Sequence, residues 1–110
     1  MENIKILFVC YAGMLRSATA MHLFARKEGF NVRCAGTEDY AVQQVQYNTV
    51  CWADVIVFMH PTVYDNFMER WDLSSLSIQP KIVILNIPDR YGFMEPELVS
   101  LIEKETKDYF

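Results

Sequence analysis

The sequence predicts an α/β domain: a four-stranded parallel sheet with helices on both faces. Three observations predict it. Short apolar runs rich in Val, Ile and Phe read as strands covered on both sides. Segments with apolar residues at helical spacing separate them. The composition is that of an ordinary globular domain, with 52% hydrophobic, 14% aromatic and 22% charged residues in 110. That length suits one domain spanning 1–110.

Ile4 to Val9 (IKILFV) is the first strand, and the glycine and small residues from Cys10 to Leu15 interrupt it. From Arg16, the residues Ala20, Leu23, Phe24 and Lys27 recur at helical spacing, with Gly29 as the stop. Asn31 to Ala35 (NVRCA) gives a short second strand ending at Gly36. Tyr40 to Trp52 carries Val42, Val45 and Val50 with few breakers and is predicted helical. Asp54 to Met59 (DVIVFM) is the third strand. Pro61 opens a helix to about Arg70, with Val63, Tyr64, Phe67, Met68 and Trp71 as its apolar stripe. The serine-rich stretch Leu73 to Gln79 is a loop. Lys81 to Ile87 (KIVILNI) is a fourth strand closed by Pro88. Pro96 starts a last helix bearing Leu98, Val99, Leu101 and Ile102, and its charged EKETKD tail is expected to fray as a solvated end.

Charge and cysteine usage narrow the function classes. A net charge of −4 offers no basic field for nucleic acid or anionic lipid. The apolar stretch ILFVCYAGML is about ten residues long, too short to span a bilayer. Three cysteines with no CxxC pairing point to a reducing, cytoplasmic setting. Cys34 and Cys51 read as buried structural thiols. His22 and His60 lie far apart without partners at metal-ligand spacing, so no zinc site is expected. His22 belongs to the first helix, and His60, at the end of the third strand, is near enough to the candidate site for a secondary role in substrate binding.

The chemistry sits in the loop after the first strand, Cys10-Tyr11-Ala12-Gly13-Met14-Leu15-Arg16-Ser17. In parallel sheets ligands bind beyond the carboxyl ends of the strands. A loop of this length can curl so that its N–H groups converge on a dianion, and the following helix adds its positive end. Arg16 can grip two oxygens in a planar fork. The same positive surroundings favour a thiolate at Cys10, ready for in-line attack on phosphorus. Ser17 can donate to that thiolate. A cysteine at a strand end is most often inert core, and Cys-x5-Arg alone occurs by chance. Its placement between a strand and a helix, with Ser directly after Arg, is what points to function.

The segment FVCYAGMLRSATAMHLF resembles the phosphate-binding loop and first helix of low-molecular-weight protein tyrosine phosphatases, in particular their compact bacterial and phage branch. VRCAGT, WADVIVFM and IPDRYGFMEPELVSLI extend the resemblance over about residues 3 to 103. It implies a flavodoxin-like fold and phosphomonoester hydrolysis through a cysteinyl-phosphate intermediate, with no metal or other cofactor. Cys10 matches the nucleophile, Arg16 the phosphate-gripping arginine and Ser17 the serine tuning the thiolate. Asp89 matches the general acid, and its position beyond a neighbouring strand end suits protonation of a leaving oxygen. Asn86 stands near where the family often has an aspartate. Tyr11, Tyr91 and Phe93 are candidates for the walls of a slot for a phenyl phosphate. The implied partners are a phosphotyrosine-type or small aryl phosphate substrate, with inorganic phosphate and vanadate as ligands.

The chain departs from the family at Gly13, where an asparagine commonly ties the loop together, at Leu15, where longer enzymes have a second cysteine, and at Ala18, where proline is usual. Glycine accepts the loop's dihedrals but supplies no side-chain hydrogen bond. A phosphoprotein-binding module of the same fold that does not turn over therefore stays open beside the phosphatase. A thioredoxin-coupled arsenate reductase shares the fold and loop, but it needs two further cysteines in a mobile segment after the third strand. His60 to Pro80 contains none.

Overall fold

The computed structural model describes residues 3–110. Strand β1, Ile4–Cys10, lies inside a parallel sheet of order β2-β1-β3-β4, with β2 at Phe30–Gly36, β3 at Val55–Phe58 and β4 at Lys81–Ile84. Ile6, Leu7, Phe8 and Val9 of β1 are wholly buried because both sheet faces are covered. On one face, helices α1 (Arg16–Ala25) and α4 (Pro96–Thr106) pack Ala20, Phe24, Leu98 and Ile102 against Phe8, Cys10 and Val57. On the other, α2 (Tyr47–Trp52) and α3 (Pro61–Arg70) pack Val50, Val63 and Phe67 against Leu7, Val9, Ile56 and Phe58. These two layers are the predicted architecture. None of the described helices is long and apolar enough to cross a membrane.

Helix α3 runs over the residues its sequence announces, with Pro61 in its first turn. The predicted helix over Tyr40–Trp52 needs correction: only Tyr47–Trp52 is helical. Tyr40 and Val42 remain exposed, and only Val45 reaches the core, so the segment lacks the apolar stripe that would drive a helix. The segment instead bonds to the end of β2, with Gly36 N–H on Gln43 O (2.8 Å) and Val45 N–H on Gly36 O (3.1 Å). Within α2, Val50 faces inward and its neighbour Cys51 is exposed, against the expectation of a buried thiol, while Cys34 is half-buried. Strands β3 and β4 are also shorter than predicted, although Leu85 and Ile87 N–H still bond to Phe58 O and Met59 O. A single 3₁₀ turn, Leu73–Ser75, occupies the serine-rich loop. Glu103, Lys104, Lys107 and Asp108 of the charged tail are exposed as expected, but the residues beyond α4 are anchored. Phe110 packs edge-on against Phe24 and Phe30, at centroid distances of 5.5 and 5.8 Å.

Candidate active site

Residue 10 ends β1 and residue 16 begins α1, so the loop between them lies beyond the carboxyl edge of the sheet. Its course is set by the segment after β2. Thr37 N–H donates to Cys10 O (3.0 Å), Glu38 N–H to Tyr11 O (3.1 Å) and Val42 N–H to Ala12 O (3.2 Å). A trans peptide holds its C=O and the next N–H in opposite directions. Turning three consecutive carbonyls outward therefore turns the N–H groups of Tyr11, Ala12 and Gly13 into the loop. Gly13 N–H accordingly donates to Cys10 Sγ at 3.1 Å. No acceptor for the N–H of Ala12, Met14 or Leu15 exists among the described residues. Leu15 caps α1 without a side-chain bond, which leaves the helix's first N–H groups free beside the same hollow.

Two glycines make this arrangement possible. Gly13 has φ +69°, and a Cβ there would lie 2.9 Å from Gly36 N and 3.0 Å from the carbonyl carbon of Ala35. A Cβ on Gly36 would lie 2.5 Å from Tyr11 O. The loop and the end of β2 thus touch backbone to backbone, in the space that a side chain at position 13 would need. The supporting segment is in turn pinned to α3. Arg70 Nη1 donates to Thr37 O (2.8 Å) and pairs with Asp39 (3.3 Å), and Asn66 Nδ2 donates to Glu38 Oε1 (3.3 Å).

The predicted residues Cys10, Arg16, Ser17 and Asp89 come together. Cys10 is 2% exposed, and its Sγ lies 2.9 Å from the buried Ser17 Oγ. Arg16 is also 2% exposed, unusual for an arginine with so few partners. Its Nη1 donates to Ile87 O at 2.8 Å, whereas its buried Nε has no hydrogen-bond partner among the described residues. The nearest anion is Asp89, with Oδ1 3.7 Å from Nε, too far for a good hydrogen bond and half-exposed. Arg16 also lies 5.6 Å from the Tyr11 ring centroid. Met14 is exposed, and Leu15 is partly buried.

The aromatic candidates divide. Tyr11 is partly buried beside Arg16, and Phe93 is exposed and stands edge-on to His22 at 5.8 Å. Tyr91 is buried in the α4 core, its hydroxyl between Arg90 Nη2 (3.1 Å) and Glu97 Oε1 (3.4 Å). His60 caps α3, with Nδ1 accepting from Thr62 N–H at 3.2 Å. Asn86 N–H donates to Glu105, on the α4 side of the sheet edge. The Cys34 thiol donates weakly to Gly13 O at 3.8 Å. Burial, and secondarily the neighbouring Cys10, push that thiol's pKa up. Sequence reasoning missed Thr37, Glu38 and Val42, which act through backbone N–H groups. The signal available was the pair Gly13 and Gly36, two glycines bounding one close approach.

No protein-family model matches the chain, and no curated protein matches it. Solved structures do. A low-molecular-weight protein tyrosine phosphatase from Streptococcus pyogenes superposes with a TM-score of 0.67 at 18% identity, covering 96% of this chain and 90% of that one. One from T. tengcongensis gives 0.69 at 15% identity, with 96% and 94% covered. A low-molecular-weight phosphotyrosine phosphatase from Vibrio cholerae O395 gives 0.66 at 21% identity, with 96% and 93% covered. At these identities the likeness is one of fold, and the chain has the flavodoxin-like α/β fold of the low-molecular-weight protein tyrosine phosphatases.

Proposed function

We propose that the chain is a cysteine-dependent phosphomonoesterase acting on aryl phosphates of the phosphotyrosine type. The observation that carries this reading is Arg16: a buried guanidinium, fixed by one nitrogen to Ile87 O, whose Nε has no hydrogen-bond acceptor among the described residues. A buried donor left without a partner costs about 1–3 kcal/mol, more when charged, so such a group marks a place where a ligand supplies the acceptor. The inward N–H groups of the loop and the free N-terminus of α1 face the same anion.

In the proposed mechanism the dianion sits in this cradle, with Arg16 Nε on a non-bridging oxygen. The Cys10 thiolate attacks phosphorus in line as the P–O bond to the aryl group breaks, and protonated Asp89 gives its proton to the departing oxygen. Water then attacks the cysteinyl phosphate, Asp89 takes a proton from it, and the P–S bond breaks to return the thiolate. Gly13 N–H and the Ser17 hydroxyl both donate to the sulfur, as attacking and as departing group. The Arg16–Asp89 contact is loose, at 3.7 Å with the carboxyl half-exposed, so a dianion that bonds Nε directly displaces it. Tyr11 and Phe93 flank the phenyl ring.

The test is hydrolysis of p-nitrophenyl phosphate by the wild type beside Cys10→Ser. Turnover by the wild type alone, blocked by vanadate, supports the reading. A folded wild type that binds vanadate without turnover is a binding module instead.

A further inference from the structure

Besides the loose Arg16–Asp89 pair, three contacts join α1 to the segment that follows β4, and all leave the helix from one row of positions, 16, 19 and 22. Arg16 Nη1 holds Ile87 O at 2.8 Å. Thr19 Oγ1 accepts from Met94 N–H at 2.9 Å. His22 meets the Phe93 ring edge-on at 5.8 Å. Residues 88–93 are thus a strap fastened at both ends to the helix that begins at the anion cradle. Asp89 is on that strap, two residues from the first fastening. Its own side chain is half-exposed with Arg16 as its ion-pair partner, so the strap's ends, more than local packing, set where the carboxyl group stands.

The far fastening carries a backbone oddity. Glu95 N–H bonds to Gly92 O (3.1 Å), closing a four-residue turn in which Met94 has φ +59°. A positive φ at that place in a turn is ordinarily filled by glycine or asparagine, and methionine adopts it only when its surroundings hold it there. The surrounding group is Thr19, which is wholly buried and whose hydroxyl takes the Met94 N–H.

We propose that Thr19 is a positioning residue: by fixing the Gly92–Glu95 turn it holds Asp89 at the reacting centre. This rests on the reading of Asp89 as the leaving-group acid. Nothing in residue identity betrays it, because a threonine in a helix is ordinarily a filler whose hydroxyl bonds back to its own helix.

The test compares Thr19→Val, which keeps the shape and removes the hydroxyl, with Thr19→Ser, which restores it. Each is made alone and with Asp89→Asn, and kcat and KM are measured for aryl phosphates from poor to good leaving groups. Thr19→Val should lower kcat about tenfold for phenyl phosphate, part of the usual general-acid contribution, and less than about twofold for dinitrophenyl phosphate. KM should change little, Thr19→Ser should recover most of the loss, and Thr19→Val should add nothing once Asp89 is Asn. The Met94 amide should exchange faster in Thr19→Val, which reads the fastening independently of turnover. Equal losses across leaving groups, or a loss that persists undiminished beside Asp89→Asn, would overturn the proposal while leaving the phosphatase reading intact. A wild type whose rates ignore Asp89→Asn would overturn the acid assignment and this proposal together.

Discussion

Replacing Gly13 by alanine puts the backbone account of the loop at risk. Two costs follow from the geometry. The left-handed conformation at φ +69° costs a residue with a Cβ about 1–2 kcal/mol. The added Cβ would also lie 2.9 Å from Gly36 N and 3.0 Å from the Ala35 carbonyl carbon, both backbone, so neither can swing aside. Relief requires the loop and the end of β2 to separate, an overpacking cost of about 1–3 kcal/mol. A combined loss of about 3 kcal/mol lowers the melting temperature of a domain of 110 residues by roughly 10–15 °C. Separation also loosens the Tyr11 and Ala12 peptides, so vanadate affinity should fall beyond what the stability loss alone explains. The assays are thermal unfolding by circular dichroism through the transition, and vanadate binding by calorimetry well below the mutant's melting point. Gly13→Asn should behave similarly, because asparagine tolerates the dihedral but brings the same Cβ. A Gly13→Ala protein with wild-type melting and wild-type vanadate affinity would refute the reasoning.

Other expectations are as direct. Arg16→Lys keeps the charge but loses the planar fork and the Ile87 O bond, so kcat/KM for p-nitrophenyl phosphate should drop about a hundredfold or more. Val42 is 73% exposed, and Val42→Ala should be neutral within about 0.5 kcal/mol. Val42→Pro deletes the N–H that holds Ala12 O and should weaken vanadate binding, whereas equal behaviour of the two variants would remove that hydrogen bond from the account. Iodoacetamide at neutral pH should label exposed Cys51 well before Cys34, whose raised pKa leaves little thiolate. Cys34 labelling should quicken as pH climbs past the ordinary thiol range. The sign for stability matches: folding favours the neutral Cys34 thiol, so its contribution is present at neutral pH and is lost as pH rises through the raised value. Mass spectrometry of tryptic peptides against time reads both.

Much of the fold was legible because the strands are apolar on both faces. Residues 6–9 and Val55–Phe58 are buried on both faces as their apolar runs require, and Pro61 marked a helix start without ambiguity. The failure at Tyr40–Gln46 has a specific cause. Valine spacing there looks helical, but Val42 is exposed and the backbone is bonded to Gly36 and Ala12, neither of which is local in sequence. Cys51 was expected to be buried because free cysteines usually are, but it lies next to inward-facing Val50, about 100° around α2, and is exposed. In the site, Cys10, Arg16 and Ser17 were legible because eight contiguous residues carry them. Asp89 needed a resemblance as well as a strand end. Thr37, Glu38 and Val42 left no trace because a peptide N–H donates whatever its side chain. Thr19 and Met94 are silent for a related reason: hydroxyl and positive φ acquire meaning only against each other.

Gly13 supplies no side-chain hydrogen bond to the loop, yet the loop is held at several points by backbone. A side chain that ties a loop together fixes one or two points. Here the carbonyls of three consecutive residues are fixed, and each fixes the direction of the next N–H. Such a frame is available only when a second backbone comes close enough, and a side chain at position 13 would keep it away. Glycine at 13 and the backbone frame are therefore one feature: the first makes room for the second. The burden then passes to whatever holds the second backbone. Arg70 and Asn66 do this from α3, on the far side of the sheet from α1 and α4. Loop order should accordingly respond to changes at α3 that touch neither Cys10 nor Arg16, which a loop tied by its own asparagine would not feel.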